Sequence, residues 1–241
     1  MKITSVIKNC KKLLTRCEET QVPKVFCIGA NKTGTTTLEH VLRSAGYQMP
    51  NQAQQEKLTV EEMHRGNYKP LVSLCQEYEA FQDQPFSSQN LYAVLDAMFP
   101  GSKFILTVRD PGVWYESLKR FHLKGILKEA GVEKIGDFGE ETFKDKAIYL
   151  DKNYCFNHFQ RQAIEIIDHR ICYNWSLVYQ EAHCIRNYER RNNDIIKYFH
   201  KREDQLLVID LSKEKDNLKI IKFLGLPDAL LSDLPHLNKS H

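Results

Sequence analysis

The chain has 241 residues, of which 42% are hydrophobic and 27% are charged, and its formal net charge is +3. This length and composition predict one globular α/β domain over residues 1–241 and exclude a disordered chain. The near balance of 34 basic and 31 acidic residues does not indicate a nucleic-acid-binding protein, but it is compatible with a local basic site for a small anion. The sequence contains no run of eighteen apolar residues, so we expect no transmembrane segment. The first residues also lack the apolar stretch of a signal peptide.

Seven cysteines are scattered along the chain, and no two of them form a Cys-x-x-Cys pair. An odd number without such pairs argues against a disulfide framework and against a zinc site. We therefore expect a cytoplasmic protein that keeps its thiols reduced.

Residues 1–20 predict an amphipathic helix, because apolar side chains recur there at helical spacing. The stripe consists of Ile3, Val6, Ile7, Cys10, Leu13, Leu14 and Cys17. The favoured interpretation is a helix packed on the domain. A membrane-surface helix or the seam of a homodimer is the alternative.

The first predicted strand is the short apolar run 25–28, which Gly29 ends. A glycine-bearing loop follows, and then a helix through residues 38–45 that Gly46 ends. A strand, a glycine loop and a helix in this order are typical of the opening of a phosphate-binding α/β unit.

The middle of the chain predicts further helices and strands. Residues 51–76 are partly helical, 81–86 contain a short strand, and serines begin a helix through 87–98. The run 103–108 is the clearest second strand, and Asp110 caps the helix that follows it.

The remaining chain is predicted to be helical over 139–200, to form a buried strand at 205–210 and to end in a helix that Gly225 stops. Strands that alternate with helices predict a mainly parallel sheet covered on both faces. The fold class is therefore a three-layer α/β/α architecture of the P-loop kind with helical insertions.

The loop after the first strand carries the clearest chemical signal. Gly29 and Gly34 have the spacing of the two glycines in the Walker A loop GxxxxGK[ST]. The residue after the second glycine is Thr35 instead of lysine, and the lysine of this loop is Lys32, two residues before Gly34. The backbone N–H groups of such a strand-to-helix turn still bind a phosphate at the N-terminus of the helix.

Two elements of this sequence resemble the P-loop sulfotransferases. The stretch from Lys32 to Thr36 resembles their 5′-phosphosulfate loop, K-[ST]-G-T-[ST]. Arg109, Pro111 and Ser117 match their 3′-phosphate element, R-x-P with a serine eight residues beyond the arginine.

Further similarity is to a subgroup of small sulfotransferase-like proteins. It rests on Asp83-Gln84-Pro85, on the strand 100–109, on a helix in which Asn192 replaces the usual histidine, and on Leu206-Leu207-Val208-Ile209-Asp210. The resemblance covers 24–50, 80–120 and 186–228. Residues 51–79 and 121–185 lie outside it, and we expect them to shape the acceptor site, with 121–185 as a helical region.

The resemblance implies in-line transfer of a sulfuryl group from 3′-phosphoadenosine 5′-phosphosulfate (PAPS) to a hydroxyl or amine, which leaves adenosine 3′,5′-bisphosphate. Lys32 would stabilise charge on the bridging oxygen. The nucleotide would be held by Lys32, Thr33, Gly34, Thr35, Thr36, Thr37, Arg109 and Ser117. No metal is expected, because the transferred sulfuryl group carries less charge than a phosphoryl group and the lysine of the Walker lysine-Ser/Thr pair is missing. The acceptor is a small molecule or a glycan.

A general base is needed near the sulfur to take the proton of the acceptor. Asp83 is the first candidate, because it follows a predicted strand at the same sheet edge as the loop. An Asx-turn or a helix cap is the alternative role for this residue. Glu61, Glu62 and His64 are the reserve candidates.

Two other functions are compatible with this sequence. A non-catalytic domain of the same fold would bind a nucleotide or a partner without turnover. A P-loop nucleotide kinase is the weaker alternative, because it needs a lysine in place of Thr35.

Overall fold

A computed structural model describes residues 23–214 and 217–228, and the helix predicted for residues 1–20 lies outside this part of the chain. Its strands are β1 (Val25–Cys27), β2 (Ala80–Phe81), β3 (Lys103–Thr107), β4 (Ile164–Ile167), β5 (Arg170–Tyr173) and β6 (Leu206–Ile209). Its α-helices are α1 (Thr35–Ser44), α2 (Gln52–His64), α3 (Lys69–Glu77), α4 (Leu91–Met98), α5 (Pro111–Lys124), α6 (Ile126–Glu129), α7 (Tyr154–Gln160), α8 (Glu181–Tyr198) and α9 (Leu218–Leu224). Short 3-10 helices cover Ile135–Asp137, Glu140–Thr142 and Trp175–Tyr179.

Four strands form one parallel sheet in the order β2-β1-β3-β6. Phe26 in β1 is in register with Phe81 in β2 and with Phe104 in β3. The ring centroid of Phe26 lies 5.3 Å from that of Phe81 and 5.4 Å from that of Phe104. This row of fully buried aromatic rings ties the three strands together at one register.

Both faces of the sheet are covered, as predicted. Alternate residues of each strand point to opposite faces, so β1 and β3 contribute to two separate cores. One core packs α1 and α9 on the sheet and contains Val25, Cys27, Leu38, Val41, Leu42, Ile105, Ile209, Ile220 and Ile221. The other packs α3, α4 and the end of α8 and contains Phe26, Ile28, Leu71, Leu74, Leu95, Phe104, Leu106 and Ile195. The three-layer α/β/α prediction is therefore confirmed.

The insertion between α5 and α8 has an apolar core of its own. Its members include Phe143, Phe159, Trp175 and Tyr179, and the ring centroids of Phe143 and Phe159 lie 5.2 Å apart in a stacked arrangement. This cluster lets a segment outside the central sheet hold a fixed shape against it.

The prediction that residues 139–200 are helical is wrong for 143–153, which form turns with an isolated bridge between Ala147 and Lys152, and for 164–173, which form the β4–β5 hairpin. Its two turn residues, Asp168 and His169, both have positive φ, 48° and 63°. Positive φ at both central positions is the signature of a two-residue hairpin turn whose twist matches the strands.

The other boundaries differ only slightly from the prediction. The strand expected within 81–86 is Ala80–Phe81, and the helix expected from Ser87 begins at Leu91. Asp110 caps α5 as predicted, because its Oδ1 accepts a hydrogen bond of 3.0 Å from the N–H of Val113. Gly225 ends α9 with a φ of 69°.

Two chemical properties of the described residues bear on the sequence predictions. The cysteines at 27, 75, 155, 172 and 184 are free thiols, whereas Cys10 and Cys17 lie outside the described part. Within residues 23–214 and 217–228, no helix has the length and apolarity that crossing a bilayer requires.

Candidate active site

The site lies where the parallel strands end. The strands β2, β1 and β3 are neighbours in the sheet, and Asp83, the glycine loop and Arg109 follow them directly. Clefts at the carboxyl ends of parallel strands are the usual binding sites of open α/β sheets. Asp83, Lys32 and Arg109 therefore follow three adjacent strands, in this order along the edge.

The backbone of the glycine loop requires glycine at positions 29 and 34. A Cβ atom at Gly29 would lie 1.9 Å from Oγ1 of Thr107, so any side chain there would push the loop away from β3. Gly34 has a φ of 100°, in the left-handed region that favours glycine. Lys32 also has a positive φ, 70°, which directs its side chain differently from that of an ordinary loop residue.

The start of α1 leaves donors available. Gly34 is the N-cap residue and provides no side-chain cap. The N–H groups of the first turn, at Thr35, Thr36 and Thr37, have no acceptor within the helix. Together with the helix dipole, such N–H groups form an anion-binding position.

Thr33 differs from the other threonines of the loop. Its hydroxyl donates to the carbonyl of Ala30 at 2.6 Å and lies 2.6 Å from Oγ1 of Thr107. Its backbone N–H also donates to Ala30, at 3.3 Å. The polar groups of Thr33 thus hold the loop against β3, and its contact with the nucleotide stays a prediction.

Lys32 extends over an aromatic ring. Its Nζ lies 4.1 Å from the ring centroid of Phe121 in α5. Partial burial lowers the pKa of Lys32, Asp83 counteracts this shift, and Arg109 adds to it. The ammonium therefore experiences one acidic and one basic residue at the edge of the sheet.

Arg109 is fixed through its backbone. Its N–H donates to the hydroxyl of Tyr188 at 2.9 Å, and that hydroxyl lies 3.2 Å from the carbonyl of Arg109. The guanidinium donates a long hydrogen bond, 3.4 Å, to the carbonyl of Lys32. Asp110, which could have neutralised Arg109, caps α5 instead. Ser117 lies two turns into α5 and is partly exposed.

Asp83 has two roles in the structure. Its Oδ1 accepts a hydrogen bond of 2.8 Å from the N–H of Gln84, and its carbonyl accepts one of 2.9 Å from the N–H of Ser87. The carboxyl group also lines a cavity next to Lys32. Burial raises the pKa of Asp83 to about 6, and the nearby Glu56 carboxylate adds to this effect.

The cavity has a volume of about 320 Å³. It is lined by Asn31, Glu56, Asp83, Gln84, Phe121, His122, Gly125, Ile126, Glu129, Tyr149, Tyr154, Cys155, His158 and Phe159. Most of these residues belong to the insertion 121–185, so the part of the chain without a sequence resemblance forms most of the wall. The cavity adjoins the glycine loop at Asn31.

A family model described as a sulfotransferase domain matches residues 24–241. The chain belongs to this sulfotransferase family. No curated protein sequence matches the chain. Membership supports a sulfuryl-transfer role in general.

The sulfotransferase domain contains a buried carboxylate that the sequence did not single out. Glu56 in α2 is 5% exposed. Its oxygens accept hydrogen bonds from Nε2 of Gln52 at 2.6 Å, from the hydroxyl of Tyr154 at 2.7 Å and from the hydroxyl of Tyr149 at 3.2 Å. Because the two tyrosines are about a hundred residues away in the chain, no local pattern in the sequence indicated this cluster.

A histidine of the same cavity was also missed. Nδ1 of His122 lies 2.9 Å from the hydroxyl of Tyr179. Burial lowers the pKa of His122 to about 3, and His158 and Lys32 add to the shift. His122 is therefore a neutral, weakly basic side chain at physiological pH, and Asp83 is better suited to accept a proton.

The reserve bases of the sulfotransferase domain are distributed differently. Glu62 accepts hydrogen bonds from Arg65 at 2.7 Å and from Asn67 at 2.8 Å, and it is absent from the cavity wall. Glu61 and His64 belong to α2, but their side chains lie outside the described part of the structure. No group of three or more His, Cys, Asp or Glu side chains in the described ranges is arranged to hold a metal ion.

Proposed function

We propose that the protein transfers a sulfuryl group from PAPS to a hydroxyl or amine of an acceptor bound in the 320 Å³ cavity. The observation that carries this proposal is the order of Asp83, Lys32 and Arg109 after three adjacent parallel strands. It provides an acid–base group, a cation for the leaving oxygen and a second anion-binding position along one edge.

The residues present fit a nucleotide with two separate anionic groups. The uncapped N-terminus of α1 and Lys32 form one basic position, for the 5′-phosphosulfate. Arg109 forms the other, for the 3′-phosphate, with Ser117 on the following helix. Arg109 forms no salt bridge with any carboxylate of the described residues, so its guanidinium remains available for a phosphate oxygen.

The reaction needs one proton transfer and one group transfer. The acceptor oxygen or nitrogen attacks sulfur, the bond from sulfur to the bridging oxygen breaks, and adenosine 3′,5′-bisphosphate leaves with the bonding electrons. Lys32 stabilises the negative charge that develops on this oxygen. Asp83 accepts the proton of the acceptor.

The pKa of Asp83 suits this role. A carboxyl group with a pKa of about 6 is mostly ionised at pH 7, yet it is more basic than an ordinary aspartate. General bases act most efficiently when their pKa lies near the working pH. Glu56 is less suited to accept the proton, because its oxygens already accept hydrogen bonds from two tyrosines and Gln52.

Ligand-induced thermal stabilisation tests the nucleotide assignment. Adenosine 3′,5′-bisphosphate should raise the melting temperature clearly more than AMP or ATP does, because only it carries an anionic group for both positions. Equal or better stabilisation by ATP with magnesium would support a nucleotide kinase instead. Transfer of label from sulfur-labelled PAPS to a panel of hydroxyl and amine acceptors then tests turnover, and binding without any turnover would support a non-catalytic domain.

A further inference from the structure

We infer that the cavity takes an acceptor that carries a positively charged amine, and that Glu56 recognises this charge. The inference rests on the proposed function only in treating the cavity as the acceptor site. It adds the substrate class, a small amino alcohol or amino phenol, which neither the family nor the strand-end residues specify.

The first argument is the charge of the wall. Three carboxyl groups, Glu56, Asp83 and Glu129, line the cavity, and its described lining contains neither lysine nor arginine. Glu129 lies at the exposed rim, whereas Glu56 lies deep. His122 adds no positive charge, because burial lowers its pKa to about 3. The described lining therefore has an excess of acidic side chains, although it also includes His158 and although the ammonium of Lys32 lies over the ring of Phe121.

The second argument is the environment of Glu56. Among the described residues, its hydrogen-bond donors are Gln52, Tyr149 and Tyr154, and all of them are neutral groups. Lys57, the next residue, pairs with Asp151 at 3.1 Å instead. A buried carboxylate without a countercharge is costly. An ammonium group in the cavity would supply this countercharge.

The third argument comes from the other lining groups. Oδ1 of Asn31 is buried, and no described group donates a hydrogen bond to it. Asn31 belongs to the cavity lining, and its unpaired amide oxygen is a hydrogen-bond acceptor next to the cavity. The rings of Phe121, Tyr149, Tyr154 and Phe159 form aromatic walls, and such faces attract cations. Phe121 differs from the other three rings, because the ammonium of Lys32 already lies over it, at 4.1 Å.

The volume limits the size of this acceptor. A cavity of about 320 Å³ lies at the lower end of the range of small-molecule sites. It fits a single ring with a short side chain and not an extended glycan. A small neutral polyol is the competing occupant, because carboxylates and aromatic rings also bind sugars. The hydrogen bonds that Glu56 already accepts leave it less to gain from further neutral donors than from a charge.

Two probes of nearly the same shape test the inference. Tyramine carries an ammonium group at the position where 4-propylphenol carries a methyl group, and both present a phenol hydroxyl. Calorimetric titration of the protein saturated with adenosine 3′,5′-bisphosphate should show tyramine binding at least about tenfold more tightly. Glu56→Gln should remove most of this preference and leave the affinity for 4-propylphenol within about threefold. Glu133→Gln, at an exposed glutamate outside the cavity, should keep the preference.

The outcomes separate this inference from the proposed function. Equal binding of the two phenols by the wild-type protein, or tighter binding of a neutral polyol such as inositol, would overturn it while leaving nucleotide binding intact. An unchanged preference in a folded Glu56→Gln variant would overturn the role of Glu56. If the variant does not fold, the comparison of the two probes on the wild-type protein still decides the question. Tyramine preference without any binding of adenosine 3′,5′-bisphosphate would instead refute the proposed function and keep the inference.

Discussion

The indole ring of Trp114 stacks on the phenol ring of Tyr188, with their centroids 4.2 Å apart and their planes 13° from parallel. The polar atom of each ring also forms hydrogen bonds with a different part of the candidate site. Nε1 of Trp114 donates to the carbonyl of Asn31 in the glycine loop at 3.0 Å. The hydroxyl of Tyr188 binds both backbone groups of Arg109. This stacked pair connects α5 and α8 and holds both proposed phosphate positions at a fixed separation.

We expect Tyr188→Phe to lower the free energy of unfolding by about 1–3 kcal/mol, because the N–H of Arg109 loses its partner. The variant should also bind adenosine 3′,5′-bisphosphate more weakly, since Arg109 is positioned less firmly. Urea unfolding and calorimetric titration measure the two effects. Tyr173→Phe is the matched control, because Tyr173 is 53% exposed in the β4–β5 hairpin. Equal stability of the two variants would contradict the role given to Tyr188.

Arg109→Ala should weaken the binding of adenosine 3′,5′-bisphosphate by about ten- to a hundredfold, because a charge-assisted hydrogen bond to a phosphate is lost. It should not change which acceptors are used, since Arg109 is absent from the cavity wall. Titration calorimetry measures the affinity, and Arg190→Ala, at an exposed arginine of α8, is the control. Normal affinity in Arg109→Ala would refute the proposed 3′-phosphate position.

The sequence predicted the central sheet and the edge that holds the site because both depend on local patterns. Short apolar runs ended by Gly29 or followed by Asp110 determine where β1 and β3 stop. The position of Lys32 inside the loop, instead of after the second glycine, could also be read from the local sequence. Asp83 was found because a residue that follows a parallel strand lies at the same edge as the loop.

The cavity was not predictable in this way, because its wall depends on contacts between distant parts of the chain. Glu56 receives hydrogen bonds from Tyr149 and Tyr154, and in the sequence it is one polar residue in a glutamine-rich helix. His122 lies in α5 just beyond residues 80–120, where the recognisable sequence motifs lie. Its burial comes from the insertion core, which only the folded chain forms.

Lys32→Ala should lower kcat far more than it weakens the binding of adenosine 3′,5′-bisphosphate. The charge that Lys32 stabilises develops on the bridging oxygen as the bond to sulfur breaks, so its contribution is largest in the transition state. A loss of about a hundredfold or more in kcat is expected. Turnover with sulfur-labelled PAPS and calorimetry of the product nucleotide measure the two quantities. Lys128→Ala, at an exposed lysine of α6, is the control, and full activity in Lys32→Ala would refute the mechanism.

The raised pKa of Asp83 predicts how activity depends on pH. If Asp83 is the base, kcat should rise as the pH increases through about 6, because only the ionised carboxylate accepts a proton. Asp83→Asn should remove this step and lower kcat by about a hundredfold or more, while nucleotide binding stays intact or becomes slightly tighter. A normal kcat in Asp83→Asn would exclude Asp83 as the base and direct attention to Glu56, Glu61, Glu62 and His64.

The raised pKa of Asp83 also predicts that the stability of the fold, unlike kcat, decreases as the pH rises through about 6. Because the pKa of Asp83 is raised from 3.8 to about 6 on folding, folding favours the protonated form. The contribution of the protonated Asp83 to the free energy of unfolding is fully present below pH 3.8 and is lost as the pH rises through about 6. Asp83→Asn should therefore stabilise the protein at pH 8, by up to about 3 kcal/mol, and this gain should shrink as the pH falls from 6 to 4. Urea unfolding at pH 8 and pH 4 measures the difference, with Asp137→Asn, at an exposed aspartate, as the control. If Asp83→Asn has the same free energy of unfolding as the wild-type protein at pH 8, burial does not destabilise the Asp83 carboxylate. Burial would then not explain a raised pKa of Asp83.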